Sequence, residues 1–180
     1  STNSQTNVIH AVGHDPRHGR RFVDILFLAQ KGGSGATDGV DGYDHIGLIN
    51  CAGGILAQDY EMLELQTPNF IRRHEYWPDS AGAGKWRGGL GVVTEMEFGG
   101  EENLAIVYGD GVDEGARAFG LFGGRPGAAN RVELQLPDGN VVTPNVKDRL
   151  DGLPRGTIFR QWAGGADQRL RGGANHHLGS

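Results

Sequence analysis

The chain has 180 residues, 17 of them Lys or Arg and 22 Asp or Glu, for a formal net charge of −5. That length suits one domain with a single core, and 37% apolar against 22% charged residues excludes global disorder. The acidic balance gives no electrostatic ground for a nucleic-acid partner.

Thirty-two glycines without a G-X-Y period exclude collagen and point to a fold rich in turns and close backbone approaches. The lone cysteine, Cys51, excludes an intramolecular disulfide and fits a reducing compartment. The first ten residues are polar, with no apolar signal region. The longest apolar stretch, Phe22 to Ala29, is too short to cross a membrane and contains Asp24. A cytoplasmic chain with no membrane partner is expected.

In chain order, residues 1–20 read as a flexible N-terminal segment. Within it His10, His14 and His18, with Asp15, have the spacing that would align three imidazoles on a helix as zinc ligands. Gly13, Pro16 and Gly19 argue against a helix there, so solvated histidines are expected. Residues 21–163 read as one β-rich domain. Arg21 to Ala29 is a strand by length and β-propensity. After a glycine loop, Ile46 to Ile49 is a second strand.

Gln58 to Gln66 has helical propensity and is closed by Pro68, which gives a short helix. Glu61 and Glu64 on it are either an acid–base pair or solvated partners for Arg72 and Arg73. Cys51 reads as a small buried hydrophobe rather than a nucleophile. Leu90 to Phe98 alternates as a strand, and Asn103 to Tyr108 is another. Arg131 to Leu136, Pro137-Asp138-Gly139-Asn140 and Val141 to Thr143 form the clearest hairpin. Gly156 to Trp162 is the last strand, and Asn103 to Trp162 reads as one small antiparallel unit. Residues 164–180 read as a flexible tail. The fold class is mainly β, with glycine-rich loops linking antiparallel strands and hairpins and few short helices.

None of the portable catalytic motifs is present. For a phosphate-binding P-loop, Asp79 stands where the first glycine belongs and Trp86 where Ser or Thr must bind magnesium. The dinucleotide fingerprint fails because Arg87 follows Gly82-Ala83-Gly84 where a glycine is needed. Ser34 is one glycine out of register for a nucleophile elbow.

Two loops carry the remaining chemistry. In Gly32 to His45, Asp38, Asp41 and Asp44 recur every third residue. Successive amides there can bind an anion and the carboxylates a hard cation or a substrate; equally, the aspartates can simply cap their own turns. In Asp79 to Gly91, Lys85 and Arg87 flank Trp86 within a run of five glycines. These cations suit a phosphate or carboxylate, Arg87 in bidentate fashion, while Trp86 packs under the loop or stacks on Arg87. The structural alternative has Asp79 and Ser80 capping neighbouring amides, and Lys85 and Arg87 pairing with carboxylates across a subunit contact.

The run Asp79-Ser80-Ala81-Gly82-Ala83-Gly84-Lys85-Trp86-Arg87-Gly88-Gly89-Leu90-Gly91 resembles an element of the hydantoinase B/oxoprolinase family, which includes large subunits of acetone and acetophenone carboxylases. The Gly32–Asp41 run, Asn50, Glu61, Glu64 and Pro68 fall in the same order, so the resemblance covers about Phe22 to Trp162. Ala81 replaces a glycine of the family pattern, and the glycine-rich stretch beginning at Ala163 diverges after Gln168.

The resemblance implies a subunit or fragment of an ATP-dependent complex that cleaves cyclic amides such as hydantoins and 5-oxoproline, or phosphorylates ketones and bicarbonate for carboxylation. It implies a hydantoinase A-type ATP-binding partner, and a source for the N-terminal part of hydantoinase B, where the family's metal cluster lies. No cofactor is expected on this chain; ATP, magnesium and a divalent metal belong to other parts of the complex. Such a chain is not expected to be active alone. Asp38, Asp41, Asp79, Ser80, Lys85 and Arg87 are the expected substrate- or anion-contacting residues, with no catalytic group and no metal ligand assigned. A non-catalytic structural or interaction subunit is the alternative.

Overall fold

The computed structural model describes residues 8–26, 31–46, 59–109, 111–120, 123–145 and 147–165. Among them the chain is mostly β, with two antiparallel sheets and one short helix. Strands β1 (Val8–Asp15) and β2 (Arg20–Leu26) form a hairpin, followed by helix α1 (Tyr60–Gln66) and β3 (Phe70–Tyr76). Then come β4 (Val92–Glu97), β5 (Glu101–Tyr108), a 3-10 turn at Glu114–Ala116, β6 (Arg131–Gln135), β7 (Val141–Val142), β8 (Arg149–Leu153) and β9 (Ile158–Trp162). One sheet has the order β2-β1-β5-β8, the other β3-β4-β9-β6-β7.

The core lies between them. Ile9, Ala11, Phe22, Ala105, Val107 and Leu153 enter it from the first sheet, and Met96, Phe98, Val132, Leu134 and Phe159 from the second, with Leu63 of α1. Fully burying a side chain of this size contributes about 1.5–3 kcal/mol. The two outer faces differ sharply. On the five-stranded sheet, Arg73 pairs with Glu75 and Glu95, Arg160 with Glu95 and Glu133, Arg131 with Glu133 and Arg72 with Glu97, an ion-pair lattice facing solvent.

Local chemistry explains the expected elements. Helix α1 starts where the Asp59 carboxylate accepts the Met62 amide at 3.2 Å, and it ends at Thr67, before Pro68. In the β6–β7 hairpin Asp138 accepts the Asn140 amide at 2.9 Å, Gly139 has φ of 89°, and Leu134 faces Val142. Of the expected strand at Ile46–Ile49 only Ile46 is described, its amide donating to the Gly32 carbonyl at 2.9 Å; positions 47–49 and Cys51 lie outside the described residues.

Several expectations need correction. The segment 1–20, expected to be flexible, contains β1, a central strand bonded to both β2 and β5. Its hairpin turn is fixed by Asp15, fully buried, whose carboxylate accepts the Arg17 amide at 2.9 Å and Arg17 Nε at 3.1 Å and bonds His18 Nδ1 at 3.0 Å. The Arg17 contacts, then His18, hold the Asp15 carboxyl well below the usual carboxylate range, against the opposing effect of burial.

His10 and His14 stand on one face of this strand, on the order of 13 Å apart at strand rise. His18 is in the turn, so the three imidazoles do not meet. No group of three His, Cys, Asp or Glu residues able to hold a metal occurs among the described residues. At the other end, Gly164 and Gly165, expected in a flexible tail, are buried; the Gly164 amide donates to Asn130 Oδ1 at 2.7 Å. Asn103 to Trp162 is not one unit, because β5 and β8 belong to one sheet and β6, β7 and β9 to the other.

Candidate functional site

The two glycine loops interlock. Residues 31–46 and 79–91 have no sheet of their own, so their amides find partners in each other. The Gly89 amide donates to the Ser34 carbonyl at 2.9 Å, and the Gly42 amide to the Arg87 carbonyl at 2.7 Å. His45 donates to the Leu90 carbonyl at 3.0 Å. Asp41 Oδ1 accepts the Arg87 amide at 2.7 Å, and Asp44 Oδ1 accepts the Leu90 amide at 2.6 Å and the Arg87 guanidinium at 3.2 Å. A Cβ at Gly89 would overlap the Tyr43 carbonyl, so only glycine allows this approach. Buried Ser80 closes the far end of the second loop: its Oγ accepts the Gly91 amide at 2.9 Å and its carbonyl the Ala128 amide at 2.8 Å.

Of the six expected site residues, the structure joins Asp41 to Arg87 and sets Ser80 inside the loop base. The Arg87 guanidinium pairs with Asp44 of its own chain. Asp38 is exposed at the tip of a tight turn, where Thr37 and Val40 exchange backbone bonds and Gly39 has φ of 96°. Asp79 is exposed in a left-handed conformation, φ 58°. Lys85 is exposed, its ammonium 5.0 Å from the centre of the Trp86 ring. Glu64 uses its carboxylate to accept the Ile71 amide at 3.1 Å, and Glu61 stays exposed, so the two do not act as a pair.

Behind the loops lies a cluster that the motif reading missed. His45 directly follows Asp44 and has φ of 50°. Its ring stands 5.3 Å from that of His74 on β3 and 6.4 Å, edge-on, from Tyr76. His74 also meets Tyr60 of α1 at 5.4 Å, and its Nδ1 lies 2.7 Å from Thr94 Oγ1 on β4. Lys31, just before the first loop, is buried beside them.

Burial pushes His45 down to about 4, helped by the charge of Lys31 and then by His74. Burial and then Lys31 also lower His74; burial alone lowers Lys31 and raises Tyr60. Both imidazoles are therefore neutral at pH 7. Both Nε2 atoms are buried with no hydrogen-bond partner among the described residues. The Thr94 hydroxyl can donate to or accept from His74 Nδ1, so Nε2 takes the complementary role, donor or acceptor. A neutral imidazole of this kind can donate to a carbonyl oxygen or take a proton from a bound nucleophile. Lys31, His45 and His74 have no diagnostic spacing in sequence; the only signal was that two of them border the first loop.

The hydantoinase B/oxoprolinase family model matches residues 1–166. The chain is 34% identical over 104 residues to caprolactamase subunit beta of Pseudomonas jessenii, covering 57% of this chain and 18% of that protein. It is 36% identical over 76 residues to the acetophenone carboxylase delta subunit of Aromatoleum aromaticum, covering 42% of this chain and 11% of that subunit.

Among solved structures, the ATP-dependent caprolactamase from Pseudomonas jessenii superposes with a TM-score of 0.73 at 27% identity, over 94% of this chain and 30% of that one. A nucleotide-free acetone carboxylase shares the fold, with a TM-score of 0.78 at 18% identity, over 95% of this chain and 27% of that one. The chain thus spans less than a third of the length of each of these relatives. A family match over nearly the whole chain, and the fold it shares with these enzymes, place the protein in the hydantoinase B/oxoprolinase family.

Proposed function

We propose that the chain works within an ATP-dependent hydantoinase-, oxoprolinase- or ketone-carboxylase-type complex, where it helps to form the substrate chamber and the subunit contacts. The observation that carries this reading is the pair of neutral, half-buried imidazoles, His45 and His74, with buried, unpartnered Nε2 atoms behind the interlocked loops. Cyclic amides and ketones both present a carbonyl oxygen, and a neutral imidazole donor suits it without the cost of burying a charge. Asp38, Asp79 and Lys85 keep their charged ends exposed beside the loops and are proposed to contact polar groups of the substrate or of a neighbouring subunit. Arg87, Asp41 and Ser80 are proposed to hold the loops in shape for that contact.

On this reading, ATP with magnesium is bound by a hydantoinase A-type partner. The divalent metal is held by hydantoinase B sequence that this chain lacks. The complex works in the cytoplasm. The test is His74→Phe in the complex purified from its source cells, assayed for cyclic-amide cleavage and ketone carboxylation. The reading expects normal assembly with turnover largely lost. Full turnover in the assembled variant rejects a role for His74 in the chamber.

A second reading has its own support. Asp41, Asp44, Ser80 and Arg87 are all bonded to the chain's own loops, as a non-catalytic interaction subunit requires. Loop substitutions would then change assembly and leave turnover per assembled complex intact.

A further inference from the structure

Beside the exposed Arg149–Asp151 pair on β8, the outer face of β2, β1 and β5 contrasts with the ion-pair lattice on the other sheet. Strand register places Val12, Val23 and Leu104 in one cross-strand row and Ile25 and Ile106 in the next, flanking His10. Tyr108 closes the end of the patch, its ring 4.9 Å from that of His10. Val23 is 72% exposed, Ile25 41% and Tyr108 40%, while their neighbours Ile9, Ala11 and Val107 on the inner face are buried. Three strands of this length present on the order of 400 Å² of contiguous apolar surface, the size that marks an interaction site rather than scattered surface residues.

We propose that this face docks the remainder of a hydantoinase B-type subunit. Three observations select that occupant, and they rest on family membership rather than on the catalytic reading. The solved relatives carry far more chain than this one, which matches only 27–30% of theirs. The area is about half of the ~800 Å² per partner typical of free-standing complexes. Counted on both sides it falls within the roughly 600–1,500 Å² of contacts between domains of one subunit. Arg21 stands at a corner of the face, in one cross-strand row with His14 and Glu101. The partner surface is therefore apolar at its centre and polar at that corner.

The test is carbene footprinting of the protein gently isolated from its source cells, in its native assembly, against the 180-residue chain expressed alone. The proposal expects several-fold lower labelling of β2 and β5 in the assembly, and unchanged labelling of the charged outer face of β6 and β9. Cross-links from β2 should map to hydantoinase B-type sequence. Equal labelling of β2 and β5 in both samples overturns it. So does protection with cross-links to a second copy of this chain or to an ATP-binding subunit.

The double substitution Val23→Asp, Ile25→Asp provides a second readout. Both side chains are exposed on the edge strand β2, so the melting temperature of the chain alone should stay within about 2 °C. The same substitution should release the chain from its assembly, and an intact assembly counts against the proposal.

Discussion

Asp44 and Arg87, 43 positions apart, join the two glycine loops through an ion pair of 3.2 Å while the same Asp44 oxygen accepts the Leu90 amide at 2.6 Å. The carboxylate therefore does two things and the guanidinium one. Arg87→Ala removes a half-exposed pair and should cost about 0.5 kcal/mol in urea denaturation. Asp44→Ala also strips a backbone amide of its acceptor and should cost about 1–3 kcal/mol. Equal costs would mean that the ion pair, not the amide bond, ties the loops. In the assembled complex, Arg87→Ala should lower turnover far more than this small loss of stability accounts for. If activity and stability fall together, Arg87 is purely structural.

Gly89→Ala places a methyl against the Tyr43 carbonyl and close to the Ser34 amide, both backbone atoms that cannot step aside. A loss of about 3 kcal/mol is expected, read from the shift in denaturant midpoint. Gly115→Ala, with nothing near its added Cβ, is the control and should stay within about 0.5 kcal/mol of wild type.

The half-buried imidazoles make stability depend on pH in a defined direction. His45 titrates near 4 in the folded chain against an ordinary value of 6.5, and His74 is also lowered. Between those values the unfolded chain binds more protons than the folded one. The stabilising contribution is thus complete above pH 6.5 and is lost as pH falls towards 4. Melting curves from pH 7.5 to 4.5 should show this decline, flattened in the double variant His45→Gln, His74→Gln. Asp24, raised by burial, acts in the opposite sense at the acid end, and Lys31 is relevant only at alkaline pH. A wild-type profile that is level across pH 4.5–6.5 would contradict the half-buried, neutral state of the pair.

Asp15 anchors the first hairpin with a carboxylate that accepts four separate bonds while buried. Asp15→Ala should cost about 2 kcal/mol, because the Arg17 amide and guanidinium lose their acceptor in a closed turn. His18→Ala, which removes one half-exposed partner, should cost far less. Thermal denaturation of the two variants side by side measures the difference.

The parts of the fold legible in sequence were those whose local chemistry and burial agree. The β6–β7 hairpin has a turn sequence and inward Val132 and Leu134; α1 has its capping Asp59 and the terminating Pro68. Strand β1 was not legible, since His10, Gly13 and His14 break any β-propensity signal and only pairing to β2 and β5 makes the segment extended. Strand β3, Phe-Ile-Arg-Arg-His-Glu-Tyr, shows no apolar alternation because its outward residues belong to the ion-pair lattice. The glycine loops announced themselves by composition, but their mutual bonds depend on residues more than forty positions apart. The His45–His74 pair was invisible for the same reason, since proximity across two elements leaves no spacing to read.

The rungs that join the loops connect residues 43 to 55 positions apart, and closing them carries the entropic cost of a long loop. The central pairings of the sheets are less local still: β1 meets β5 with Val8 opposite Tyr108, 100 positions away, and β4 meets β9 with Val93 opposite Trp162. Loops and sheets therefore belong to one cooperative unit, and breaking a loop rung should lower the melting temperature of the whole described chain rather than loosen the loops alone.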